Sequence, residues 1–189
     1  MERMKGLLTK ISNQIIKRCR HKINKDDMLS GDVEKCMRDL QESIDCCKEW
    51  KNVCQHHQMM IKKYSTRKDN WDLDKDETIF AENEAFIQRC KDLMEICEGQ
   101  LQFARKGANQ VMPIFGGRLG AQYTMNLLEL EKSFTQHLQN IKNLDYDILN
   151  VKITKWHDDY GQYFKEQCKN LETMYHNIIT LAFKNVSTV

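Results

Sequence analysis

One proline in 189 residues, Pro113, constrains this chain more than any other feature. Average usage would supply about nine, and proline ends helices because it lacks an amide proton and its ring clashes with the preceding turn. A chain almost without it can build long helices, and 30% charged residues with abundant Lys, Glu, Gln, Leu and Met favour them. The proline stands in Val111-Met-Pro-Ile-Phe-Gly-Gly-Arg-Leu-Gly120, beside three of the eight glycines. Glycine reaches positive φ without penalty, so this stretch predicts a break in the helix, a structural elbow made by Pro113, Phe115, Gly116, Gly117 and Gly120. Ile114 and Phe115 are apolar, which sets the elbow against a core.

On either side of the elbow the apolar residues recur at steps of three and four. Val33, Met37, Leu40, Ile44, Cys47, Cys54 and Ile61 trace one face of a helix of about nine turns, with Lys51 and Gln58 interrupting the seam and Trp50 widening it. Asp74-Lys-Asp-Glu77 has the form of a capping box, so a second helix is expected to start there, carrying Ile79, Phe80, Phe86, Cys90, Leu93, Met94, Cys97 and Leu101. Past the elbow, Tyr123, Leu127, Leu130, Phe134, Leu138 and Ile141 form the cleanest helical stripe. Leu144 to Asn150 supplies turn formers, after which Ile153, Trp156, Tyr160, Phe164, Leu171, Met174, Ile178 and Leu181 predict a last long helix. The fold class is therefore all-α, an elongated array of long antiparallel helices in bundles with an elbow at 111–120. The expected organisation is a basic amphipathic helix and link over 1–30, two long helices over 31–107, the elbow over 108–120, and two long helices over 121–189 that continue beyond the chain end.

A hydrophobic content of 41% supports a real core, while a net charge of +2 from dispersed acids and bases leaves no footprint for nucleic acid. Only the N-terminus is locally basic, with Lys5, Lys10, Lys17, Arg18, Arg20, Lys22 and Lys25 around Leu7, Leu8, Ile11, Ile15 and Ile16. Such a helix lies on a membrane or packs in a bundle with its basic face in water, and the second is the expectation here. No apolar run approaches the ~20 residues of a membrane span and no signal peptide is visible, so a reducing compartment is expected. The eight cysteines then read as buried thiols acting as small hydrophobes.

The residues offer little chemistry. The glycines of the elbow lack the Gly-Lys-Ser/Thr of a phosphate loop and the strand that precedes a dinucleotide turn, so no nucleotide is expected there. Cys46, Cys47, Cys54, His56 and His57 are metal-ligand types, but one continuous helix cannot converge four of them on a zinc ion. His157, Asp158 and Asp159 are adjacent and point apart on a helix. The expectation is no catalytic residue, no cofactor and no metal. The residues alone support a helical scaffold.

The order and separation of particular residues say more. Trp71, Ile79-Phe80, Glu84, Phe86, Arg89, Leu93, Ile96 and Phe103, then Ile114-Phe-Gly-Gly-Arg-Leu-Gly120, then Phe134, Tyr146-Asp147, Leu149, Asp159, Phe164 and Leu171 resemble the N-terminal tail of dynein heavy chains, especially axonemal ones. The resemblance covers Trp71 to Val189. It implies a segment of the helical tail through which heavy chains meet one another and carry intermediate and light chains, in the cytoplasm, on the cytoskeleton and in the ciliary axoneme. It also implies that the motor's ATPase lies elsewhere and that this segment is not an enzyme; from charge and hydropathy, neither nucleic acid nor membrane is expected as a partner. Trp50, Trp71 and Trp156 are the candidate partner contacts, since Trp is enriched at interfaces; it is also a core residue, and burial decides between the two roles. The alternative is an unrelated spectrin-like cytoskeletal scaffold, which would not need the elbow. A small metal- or nucleotide-binding enzyme is the third class, and bound zinc or ATP would reveal it.

Overall fold

In the computed structural model, residues 2–64, 78–103, 117–156 and 162–186 are described. Among them the regular structure is entirely helical: α1 Glu2–Lys22, α2 Lys25–Ser30, α3 Val33–Tyr64, α4 Ala81–Phe103, α5 Gly117–Lys142 and α6 Gln162–Val186. No strand occurs among the described residues. The chain divides into two compact units, one of residues 1–95 with 147–152, the other of 96–146 with 153–189. The boundary falls inside α4, and a six-residue segment belongs to the first unit although its neighbours belong to the second.

In the first unit, α1 and α2 both pack on α3. Leu8, Ser12, Ile16 and Cys19 form the buried side of α1, leaving its lysines and arginines toward water, as expected of a bundle helix. The stretch Asn24 to Gly31 reads as a polar break, yet the structure makes it the helix α2. Asn24 caps it, accepting a 3.0 Å hydrogen bond from the Asp26 amide, and Asp26 and Asp27 in the first turn complement the helix dipole. Met28 and Leu29 then bury against α3. Gly31 separates α2 from α3, where a Cβ would stand 2.9 Å from Asp27 Cα and force the backbone to shift. Asp32 caps the next helix, accepting from the Lys35 amide at 2.8 Å.

The 32 residues of α3 match the expected nine turns, but its seam differs from the apolar pattern. Val33, Cys36, Leu40, Ser43, Cys47, Cys54 and Gln58 are buried, so polar Gln58 continues the seam while Ile61 is exposed. Near its middle, Leu8, Cys54, Ile79 and Phe80 cluster, with Trp50 packed against them. α4 follows a turn over 78–80, and Asp74 to Glu77, the expected capping box, lies outside the described residues. Phe86, Cys90, Leu93 and Cys97 are buried on α4 as their spacing predicts.

In the second unit α5 packs on α6, and Leu127, Leu130, Phe134, Leu138 and Ile141 are buried while Tyr123 is half-buried. Gly117 and Gly120 belong to the first turn of α5, so the helix begins ahead of position 121. Pro113, Phe115 and Gly116 lie outside the described residues. The apolar pattern predicts a last helix from Ile153; turns mark 151, 152 and 154, helical residues begin at Lys155, and α6 is described over Gln162–Val186. Asp147 and Asn150 explain the turns, because their side chains accept from the amides of Leu149 at 2.9 Å and Lys152 at 3.2 Å and so compete with helical bonding. Of the expected α6 stripe, Ile178 is buried and Leu181 is exposed.

Candidate functional site: a polar clasp and exposed apolar faces

Two kinds of feature stand out beyond the helix cores. One is a set of buried polar groups that hold the first unit together. Asn83, buried on α4, donates from Nδ2 to the Cys47 carbonyl of α3 at 2.9 Å. Arg89 is 2% exposed and donates to the carbonyl of Ile148, 59 residues away. Segment 147–152 is held further by Arg20 paired with Asp147 and by Lys152 Nζ at 3.0 Å from Glu82. A charge-assisted bond from a buried guanidinium to a main-chain carbonyl fixes position as well as energy, because burial removes competing water. The structure therefore brings together Arg89, Asp147 and Leu149, three residues of the dynein-tail resemblance separated widely in sequence.

The other feature is apolar surface. Toward the end of α3, Val53, Met59, Met60, Ile61 and Tyr64 are exposed, Tyr64 by 66%. Val53, Met60 and Tyr64 are seven and eleven residues apart, close to whole numbers of turns, so they form one stripe. Lys62 and Lys63 flank it in the last turn. On α6, Tyr175, Ile179 and Phe183 repeat every fourth residue and are all exposed, Phe183 by 72%. Met125 and Leu128, three residues apart on α5, are exposed as well. Single exposed apolar residues are ordinary on any protein; rows of large ones on successive turns are characteristic of contact surfaces.

The two described tryptophans, Trp50 and Trp156, are not among the exposed large apolar residues. Trp156 is 1% exposed and offers no contact face in this chain. Trp50 is half-buried, packs on the Leu8 cluster and donates its indole N–H to Ser12 Oγ at 2.8 Å, which joins α3 to α1. Trp71 lies outside the described residues. Sequence reasoning missed the surface of Met59, Met60, Ile61 and Tyr64 because it carried the seam on to Ile61; the seam passes through Cys54 as expected but ends at Gln58, and residues 59–64 are all exposed. The signal available was the run itself, four apolar residues within six positions, more than one helix face can bury.

Several titratable groups among the described residues are shifted by burial or by a partner. Cys90 is pushed up to about 12 by burial, and burial also raises the Cys54 thiol and lowers the His137 imidazole. Lys22 is raised by its hydrogen bonds to Glu42 and Asp39. Among the described residues no three His, Cys, Asp or Glu side chains are placed to hold a metal ion, Cys46, Cys47, Cys54, His56 and His57 included. No described helix is long and apolar enough to cross a membrane.

Comparison with known proteins gives these features a context. The family described as dynein heavy chain, N-terminal region 1, matches residues 1–189. The chain is 41% identical over 182 residues to the Dynein-1-beta heavy chain of the flagellar inner arm I1 complex of Chlamydomonas reinhardtii, covering 96% of this chain and 4% of that one. It is 43% identical over 97 residues to Dynein axonemal heavy chain 2 of Mus musculus, covering 50% of this chain and 2% of that one. Over 183 residues it is 21% identical to the Dynein beta chain, flagellar outer arm, of Chlamydomonas reinhardtii, again covering 4% of that protein. The chain thus spans a small fraction of the length of these relatives.

Proposed function

The chain belongs to the dynein heavy-chain N-terminal region family, and from that premise we propose that it is a non-catalytic tail scaffold acting in the ciliary axoneme. In this reading it associates with other heavy-chain tails, carries intermediate and light chains, and helps to anchor an ATP-driven microtubule motor whose ATPase is in another part of the heavy chain. Membership of the family displaces the spectrin-like alternative. The names of the relatives, inner arm, outer arm and axonemal, support the axonemal setting.

The observation that carries the scaffold reading is the exposed apolar row Val53, Met60 and Tyr64 on α3, together with Tyr175, Ile179 and Phe183 on α6. Burying a large apolar side chain contributes about 1.5–3 kcal/mol, so three on one stripe are enough to anchor a partner helix. The test uses heavy chain carrying Met60→Ser with Tyr64→Ser, or Ile179→Ser with Phe183→Ser, expressed in ciliated cells and purified from cilia. Intermediate chains, light chains and second heavy chains are quantified by mass spectrometry. At least one pair is expected to reduce a named subunit about tenfold or more while the heavy chain stays folded. Unchanged stoichiometry in both would contradict the reading.

A further inference from the structure

α1 and α3 run antiparallel, and the contacts that align them fix which of their exposed residues meet. Lys22 pairs with Glu42, the Trp50 indole donates to Ser12 Oγ at 2.8 Å, and Leu8 clusters with Cys54, so α1 numbers fall as α3 numbers rise. Met4 is five whole turns from Lys22, and Met60 is five whole turns from Glu42. Both methionines therefore stand on the flank marked by that ion pair, at the same level. The two rows then match: Met4, Leu7 and Ile11 on α1 lie level with Met60, His57 and Val53 on α3, all at steps of three and four. Ile11 is half-buried and the other five are exposed. Tyr64 extends the α3 row by one turn. Arg20, which pairs with Asp147, is about 160° around α1 from Lys22, and Lys51, which holds Glu84 of α4, is about half a turn around α3 from Met60. Segment 147–152 and α4 thus attach on the other flank, and neither covers the groove between the rows.

The charge around this groove has one sign. From Arg3 to Lys10 and from Trp50 to Tyr64 the sequence contains no acid; Glu42, Asp45 and Glu49 all precede Trp50. Arg3 and Lys10, exposed and about two turns apart, edge the α1 row on its outer side, and the Lys63 ammonium sits 5.3 Å from the centre of the Tyr64 ring at the end of the α3 row. An apolar floor with a basic border disfavours a second copy of itself, because like charges would meet, and favours an occupant that is apolar on one side and acidic beside it. A groove between two helices receives the side-chain ridge of a third. A membrane surface suits it less, since α1 spends Leu8, Ile16 and Cys19 on packing and leaves its remaining apolar groups at a helix junction rather than on one outward face.

We propose that the groove between α1 and α3 binds an acidic amphipathic helix from another subunit of the assembly. Its apolar residues seat between Met4 and Leu7 on one side and Val53 and Met60 on the other, and its carboxylates face Arg3, Lys10 and Lys63. The row from Val53 to Tyr64 spans about 16 Å, which sets the bound helix at about three turns. Such a partner presupposes the scaffold role proposed above and gives it a chemistry.

The test applies a water-soluble carbodiimide, which joins amines to carboxylates in contact, to the dynein complex purified from cilia, and maps the links by mass spectrometry. Lys10 or Lys63 is expected to join an Asp or Glu of another subunit, within a segment whose apolar residues recur at steps of three and four. The Lys51–Glu84 link inside the chain reports that the first unit is folded. In Met60→Asp the intersubunit link is expected to fall about tenfold or more while Lys51–Glu84 is retained, and Leu7→Asp, on the other helix, is expected to act alike. Links from Lys10 and Lys63 only to acids of the same chain or of a second copy, or none while Lys51–Glu84 forms, would overturn the proposal. So would an intersubunit link that persists in both variants, or binding of the heavy chain to phosphatidylserine vesicles that Met60→Asp abolishes, which assigns the groove to a membrane. If Met60→Ser with Tyr64→Ser depletes a subunit and no such link forms, the acidic helix fails and the scaffold reading stands; unchanged stoichiometry in both serine pairs removes the scaffold reading itself.

Discussion

The two units solve the same packing problem with different means. In the second, α5 presents a repeating apolar stripe ending in Phe134, Leu138 and Ile141, with local side-chain hydrogen bonds along it such as Thr124 to the Gly120 carbonyl and Thr135 to the Glu131 carbonyl. In the first, directional polar contacts cross between elements: Asn83 to Cys47, Arg89 to Ile148 and Trp50 to Ser12. An apolar stripe sets which face is buried and tolerates small slides along the axis. A buried polar bond penalises a slide, because the group it loses cannot find water. The first unit is therefore the better specified, as suits the unit that must hold segment 147–152 to α1 and α4.

The largest effect should come from the apolar side of this contrast. Phe134 is 1% exposed, and Phe134→Ala should cost about 3–5 kcal/mol of local opening free energy, read by hydrogen exchange in α5. Next, Arg89→Met keeps volume but removes the donor to Ile148, with an expected loss of roughly 2–3 kcal/mol seen as faster exchange over 147–152. The contrast breaks if Arg89→Met loosens α5 as much as that segment. Trp50→Phe retains most of the packing on Leu8 and loses only the bond to Ser12, so about 1 kcal/mol is expected between α1 and α3. Smallest is Lys51→Met, which deletes a partly exposed pair with Glu84 and should cost no more than about 0.5 kcal/mol in a denaturant titration. A larger loss there would mean that surface charge, rather than buried polarity, specifies the first unit.

This contrast also governs how much of the molecule was legible in the sequence. The stripe from Leu127 to Ile141 can be read directly, since its buried residues are all apolar and evenly spaced. The seam of α3 cannot, because it includes Asp39, Ser43 and Gln58, whose burial depends on partners supplied by the fold rather than on their own hydropathy. α2 was hidden for a related reason: Asn24, Asp26 and Asp27 are turn formers by composition and become cap and first turn only when Met28 and Leu29 have a surface to bury against. Arg89 and Asp147 were visible as members of a family pattern, but not as parts of one clasp. The contact surfaces were legible least. A tryptophan in a sequence gives no sign of whether it lies inward, as Trp156 does, and the exposed row ending at Tyr64 arises because the buried face of α3 ends at Gln58.

The most direct test of the scaffold account compares hydrogen exchange of the same heavy chain in the assembled dynein complex and in isolation. The account predicts that residues 53–64 or 175–183 exchange at least tenfold more slowly in the complex, with the buried stripe of α5 unchanged. Identical exchange of both exposed rows in the two states would contradict it.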